Sequence, residues 1–183
     1  MGSPRIGLRE GHGSMQETPE QYRERILSYV ATDEPLELQE ATLHKLGPLI
    51  EALPAAQLRE RPAAGKWSIA EIVAHLADTE LVIGYRIRLI LGAPGTPIQA
   101  FDQDAWLVAL HYDKRDVRRS LEQFRALREA NLALLKAITS EQWNQHGEHA
   151  ERGKETIRTI VRMNAGHDVN HLRQIERISA AKR

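Results

Sequence analysis

Two histidines stand four residues apart near the end of the chain, His167 and His171, in a segment whose apolar residues recur at helical spacing. On a wheel of about 100° per residue with His167 at zero, His171 falls at about 40°. Ile160 and Ile178 fall at about 20°, Ile157 and Ile175 at about 80°, and Met163 at about −40°. Both imidazoles therefore lie inside the apolar arc, where leucine is the ordinary occupant. Side chains at i and i+4 share one helix face, so both rings can reach one metal ion. A single histidine on such a face is more often a hydrogen-bonded core residue, but a pair one turn apart shifts the reading toward a metal.

A site of ordinary affinity needs a third ligand. His75 lies at the edge of another apolar stripe, roughly 80° from its centre by the same count. A bundle builds metal sites from side chains on facing helices, but the wheel does not pair helices, so the third position stays open at this point. Three protein ligands would leave room for water or substrate, the mark of a reactive ion. Three neutral imidazoles suit Zn²⁺ and Ni²⁺ among the borderline divalent ions. His44, His111, His146 and His149 sit in polar or loop settings and read as surface residues.

Further polar groups lie within a turn of these histidines. Asn164 falls at about 60° on the wheel and either orients a ligand or bonds a neighbouring helix. Asp78, three residues after His75, is either a base or a solvated carboxylate. Glu71 is committed to a helix cap, and Arg162 and Arg173 lie off the apolar arc as solvated charges.

The elements that must carry these groups are all helical in spacing. Helices are expected over 17–30, 34–52, 68–91, 115–138 and 156–180, with Gly47-Pro48 kinking or interrupting the second. Ser68-Ile69-Ala70-Glu71 matches a capping box, and Trp67 with Ile72 matches a hydrophobic staple. Residues 101–114 are mixed, 139–153 read as a polar connection, and no segment alternates like a strand. Four long amphipathic helices make an all-α four-helix bundle, with loops long enough to imply more than simple up-down packing.

The chain has 183 residues, which fits one domain. Residues 1–14 are expected to be an expression tag or scar, with a single domain over 15–183. The chain has no cysteine, which excludes disulfides, thiolate metal sites and cysteine nucleophiles of its own. Lys+Arg and Asp+Glu balance at 25 each, which removes the bulk electrostatic case for nucleic acid. No apolar run approaches the roughly 18 residues of a membrane span. With no export signal in view, the cytoplasm is the default location.

Three stretches, GKWSIAEIVAHLADTE (65–80), FDQDAW (101–106) and GHDVNHLRQI (166–175), together resemble the DinB-like/YfiT-like superfamily of bacterial metal-binding bundles. The resemblance runs from about Thr18 to Ile178. It implies a four-helix bundle of unusual connectivity with extra short helices, often dimeric. It also implies a metal triad which, carried over by position, is His75, His167 and His171. Asp102, Asp104 and Trp106 fall in a stretch of the family pattern that could wall a pocket, although Asp102 reads equally as a helix cap. The implied chemistry is that of a divalent-metal-dependent hydrolase, or of an S-transferase that activates a low-molecular-weight thiol such as bacillithiol or mycothiol. The alternative is a non-catalytic module that binds a metal or a small ligand under stress.

Overall fold

The computed structural model describes residues 17–31 and 34–181; the tag expected over 1–14 lies outside them. Eight helices follow in order: α1 (Pro19–Ser28), α2 (Pro35–Glu51), α3 (Ala55–Arg59), α4 (Ile69–Gly92), α5 (Gln103–Ala109), α6 (Val117–Ala137), α7 (Ser140–Trp143) and α8 (Ile157–Ala180). A 3₁₀ turn spans Tyr112–Lys114, and three short strands are β1 (Pro97–Ile98), β2 (His146–His149) and β3 (Gly153–Thr156).

Local chemistry starts the long helices. Ser68 Oγ accepts from the Glu71 amide at 3.2 Å while the Glu71 carboxylate accepts from the Ser68 amide at 2.7 Å, the reciprocal box expected for α4. Asp116 Oδ1 takes the Arg118 and Arg119 amides at 2.9 and 3.0 Å to open α6, and Thr156 Oγ1 takes the Thr159 amide to open α8. The expected break at Pro48 does not occur, and α2 runs through it to Glu51. Leu46 and Ile50 on either side are fully buried, and Gly47 lets the Arg125 side chain of α6 lie where a Cβ would stand. Packing on both sides of the proline outweighs the one lost amide bond.

The bundle consists of α2, α4, α6 and α8. α4 packs most closely on α6, and α2 on α8; α4 with α8 and α2 with α6 close the ring. The consecutive bundle helices α2 and α4 are thus not a packed pair, and neither are α6 and α8. Each bundle helix still buries an apolar face, but the chain crosses the bundle twice to do so, as the longer loops implied. α1 lies on α8 where Gly166 admits it: a Cβ there would stand 2.2 Å from the Ile26 carbonyl oxygen.

The sequence predicts no strand, yet a three-stranded sheet forms in the order β1-β2-β3. β1 pairs in parallel with β2 (Pro97 opposite Glu148), and β2 antiparallel with β3 (His146 opposite Thr156, His149 opposite Gly153). His146–His149 has no apolar alternation to announce it. Its place comes from close backbone approach, since a Cβ on Gly147 would meet the Thr96 carbonyl oxygen at 3.0 Å. Gly153, at φ +68°, makes the turn that brings β3 back.

The core divides in two. One apolar cluster gathers Leu46, Ile50, Ile69, Ile72, Leu76, Phe124 and Ile175; the other gathers Ile87, Ile90, Ile98, Leu135, Ile157 and Ile160. Buried polar side chains of all four bundle helices, among them Gln39, Glu80, Arg128, Asn131, Asn164 and Asp168, belong to neither. Among the described residues no helix is long and apolar enough to cross a membrane.

Candidate metal centre

The capping box fixes where α4 begins, and His75 follows two turns later on a stretch buried on every side from Ile69 to Glu80. α8 packs against α4 and presents His167 and His171 to it. His75 Nε2 lies 2.9 Å from His167 Nε2, which lies 3.1 Å from His171 Nε2. One nitrogen from each ring falls within 4.8 Å of the other two. These are the three histidines that the resemblance implies, two of them also picked out by the wheel, drawn together across 92 residues of chain.

The hydrogen-bond count at this triangle does not balance without a cation. His171 Nδ1 lies 3.0 Å from Gln174 Oε1. That oxygen only accepts, so Nδ1 carries the ring hydrogen and Nε2 of the neutral ring is a bare lone pair. His167 Nε2 then faces two nitrogens and has at most one hydrogen to share between them. The two contacts therefore cannot both be full hydrogen bonds. His75 Nδ1 and His167 Nδ1 are buried without a partner among the described residues. Nitrogens about 3 Å apart suit a shared ion at about 2.1 Å from each. The residues present thus fit a divalent metal.

Electrostatics keeps the rings neutral. Burial pushes His75 and His167 well below the ordinary imidazole range, and the neighbouring rings add to it, with Arg128 contributing at His167. His171 is pushed down to about 4, first by burial; Gln174 opposes and Arg25 contributes. Neutral imidazole is the form that ligates a metal.

The other candidates go elsewhere. Asn164 Nδ2 donates to Glu80 Oε2 at 3.2 Å, so it bonds a neighbouring helix. Asp78 is neither solvated nor near the triad in its bonding. It is buried and accepts from Arg115 Nη1 at 2.6 Å and from Gln123 Nε2 at 3.4 Å, which ties α4 to the start of α6. It also helps raise the buried Tyr112 phenol, after the larger effect of burial itself. Asp102 caps α5 by accepting the Asp104 and Ala105 amides. Trp106 is half-buried with its ring 4.8 Å from that of Phe101. The surface reading of His44 and His111 holds, but His149 is buried: β2 turns it inward, and its Nδ1 accepts from the Glu151 and Arg152 amides.

Sequence reasoning missed two groups beside the triad. Trp67, read there only as a staple, sets its ring edge-on to His75 at 5.0 Å and parallel to His171 at 6.3 Å. Gln174 fixes the tautomer of His171; its position one turn after a candidate ligand was the available signal.

A helical bundle with three converging imidazoles between two of its helices defines a class of metal-type bundle proteins. The chain belongs to the DinB superfamily, whose family model matches residues 38–175. A relative in Oceanobacillus iheyensis is 28% identical over 138 residues, covering 75% of this chain and 79% of its own. YfiT of Bacillus subtilis is 26% identical over 149 residues, covering 80% and 83%. Both are provisionally named metal-dependent hydrolases. A solved structure of YfiT from Bacillus subtilis superposes with a TM-score of 0.73 over 94% of this chain and 93% of that one, at 23% identity, and is described as having an unusual four-helix bundle topology. That likeness carries the fold.

Proposed function

We propose that this protein is a metal-dependent hydrolase of small molecules, with a divalent ion, Zn²⁺ or Ni²⁺, held by the Nε2 atoms of His75, His167 and His171. The observation that supports it most is the triangle of imidazole nitrogens whose hydrogens cannot satisfy one another. A divalent ion there supplies Lewis acidity, enough to bring water or a thiol to its nucleophilic form near neutral pH. The chain's own residues do the rest. Gln174 holds the His171 tautomer, and Trp67 walls two of the rings. Burial keeps all three rings unprotonated and ready to ligate.

Elemental analysis of tag-free protein tests the reading. We expect one divalent ion per site in the wild type and none in H75A/H167A/H171A. Absence of stoichiometric metal, with equal stability of the two proteins, overturns it. A low-molecular-weight thiol as co-substrate is the finer form of the proposal, since a cysteine-free chain must take its thiol from outside. Metal-loaded protein incubated with an electrophile, with and without each bacterial thiol, separates the two: conjugation that needs the thiol means transfer, and turnover in water alone means hydrolysis. The homodimer belongs to the same proposal. Leu81 and Tyr85 on α4, Val108 on α5 and Leu110 just after it stay exposed, the surface we assign to the second copy. A monomer mass by light scattering would remove it.

A further inference from the structure

Thr79 follows His75 by four residues on α4, so the two side chains share one face of the helix. Its hydroxyl lies 3.5 Å from His75 Nε2, the nitrogen turned toward the other two rings. Among the described residues, Thr79 is the only side chain outside the triad with a polar contact to any of these Nε2 atoms. Gln174 bonds His171 at the other ring nitrogen, Nδ1. The acidic neighbours of Thr79 are engaged elsewhere, Asp78 with Arg115 and Gln123, and Glu80 with Arg128, Asn131 and Asn164. Thr79 itself is 7% exposed, and its hydroxyl has no second partner among the described residues.

An ion on Nε2 ends that contact whichever tautomer His75 holds. A ring nitrogen that ligates has neither a hydrogen to give nor a lone pair to share. The Thr79 hydroxyl then needs a new partner, because buried polar groups are seldom left unpaired. An ordinary metal–nitrogen length of about 2.1 Å puts any such ion within about 5.6 Å of the hydroxyl. Three imidazoles leave at least one position on the ion to a ligand from outside the chain. Of the three rings only His167 is partly exposed, so a small molecule reaches the triangle past it.

We propose that Thr79 holds the exchangeable ligand of the metal centre: its hydroxyl donates to a small anion in the position the histidines leave open, and favours such a ligand over an uncharged one. The inference rests on the reading that the triad binds a divalent ion. A hydroxyl donating to an anion makes a charge-assisted bond, shorter and stronger than one between neutral groups. The ligand class that Thr79 selects is therefore an anion with a compact acceptor atom, such as the carboxylate oxygen of a substrate. Thr79 acts on that ligand and is not itself a fourth ligand of the ion.

The test loads the protein with Co²⁺ and titrates it with azide, a small anion that ligates through nitrogen, while the visible absorption bands report the coordination sphere. Co²⁺ affinity is measured separately, by competition with a chromophoric chelator. T79V removes the hydroxyl and nearly keeps the shape of the side chain. It is expected to weaken azide binding about tenfold or more, the worth of one hydrogen bond to a charged group. Its Co²⁺ affinity is expected to match wild type, because the three imidazoles are untouched. T79S keeps a hydroxyl and is expected to bind azide as wild type does. A hydroxyl that merely turns back to the His75 carbonyl of its own helix predicts equal azide binding in all three proteins. That result overturns the inference, as does a loss in T79S as large as in T79V, or a wild type that takes up Co²⁺ but no azide. A loss of Co²⁺ affinity in T79V as large as its loss of azide affinity also overturns it, since the hydroxyl would then serve the ion itself. Should T79V not fold, T79A is judged by the same outcomes. A wild type that takes up no more Co²⁺ than H75A/H167A/H171A sinks the triad reading instead, and the chelator competition alone shows it.

Discussion

Gln174 and His149 show how a single hydrogen decides what an imidazole can do. Gln174 Oε1 accepts the Nδ1 hydrogen of His171 and leaves its Nε2 free. Q174A is expected to weaken metal binding by about 10–100-fold, the usual cost of losing such support, with little change in the melting temperature of the metal-free protein; metal titration of both proteins checks it. His149 is the opposite case. Its Nδ1 takes two backbone amides, which protonation would expel. The ring is held down at about 4, first by burial and then by Arg152, with Glu155 opposing and Arg86 adding. In the unfolded chain it binds a proton near its ordinary value of 6.5. The unfolded state therefore takes up a proton first as pH falls. The stability this group confers is full above about 6.5 and is lost between there and about 4. NMR titration of the His149 ring is expected to show it neutral at pH 5.5; a midpoint near 6.5 would contradict the burial argument.

At the scale of elements, α4 and α8 are held by different means at different heights: apolar packing above and below, ion pairs between. Removing Arg128 alone leaves two buried carboxylates unpaired. R128M is therefore expected to cost about 3–5 kcal/mol in denaturant unfolding, while joint replacement of Glu80, Arg128 and Asp168 by apolar residues recovers most of it. α1 depends on one missing side chain. G166A places a methyl against the Ile26 carbonyl, and either α1 lifts or α8 shifts. The expected cost is about 1–3 kcal/mol, with amide exchange in α1 rising more than in α4; uniform exchange across the two helices would refute it. The helices themselves were readable from apolar spacing and from the Ser68 cap, since those signals act within a turn or two. The strands were not, because what holds Gly147 in place is the backbone around Thr96, about fifty residues earlier.

For the whole molecule, the site bridges two helices that no short loop connects, so a bound ion ties distant parts of the chain together. Metal at 100 times its Kd is expected to stabilise the fold by about 2.7 kcal/mol. A chelator should lower the melting temperature of the wild type and leave H75A/H167A/H171A unmoved; differential scanning calorimetry reads both. The sequence by itself determined that the protein is a helical bundle, that His167 and His171 share a buried face, and that α4 starts at Ser68. Periodicity and capping are local, and each is written in a dozen residues. Membership in a recognisable family pointed to His75 as the partner, but the wheel could not. Only the tertiary structure decided which helix faces which, and so placed His75 Nε2 beside His167, sent Asp78 to Arg115, and joined Glu80 to Arg128 and Asn164. Those meetings join residues 37 to 92 positions apart. They depend on how four apolar faces find one another when the chain closes the bundle, which no local run of residues records.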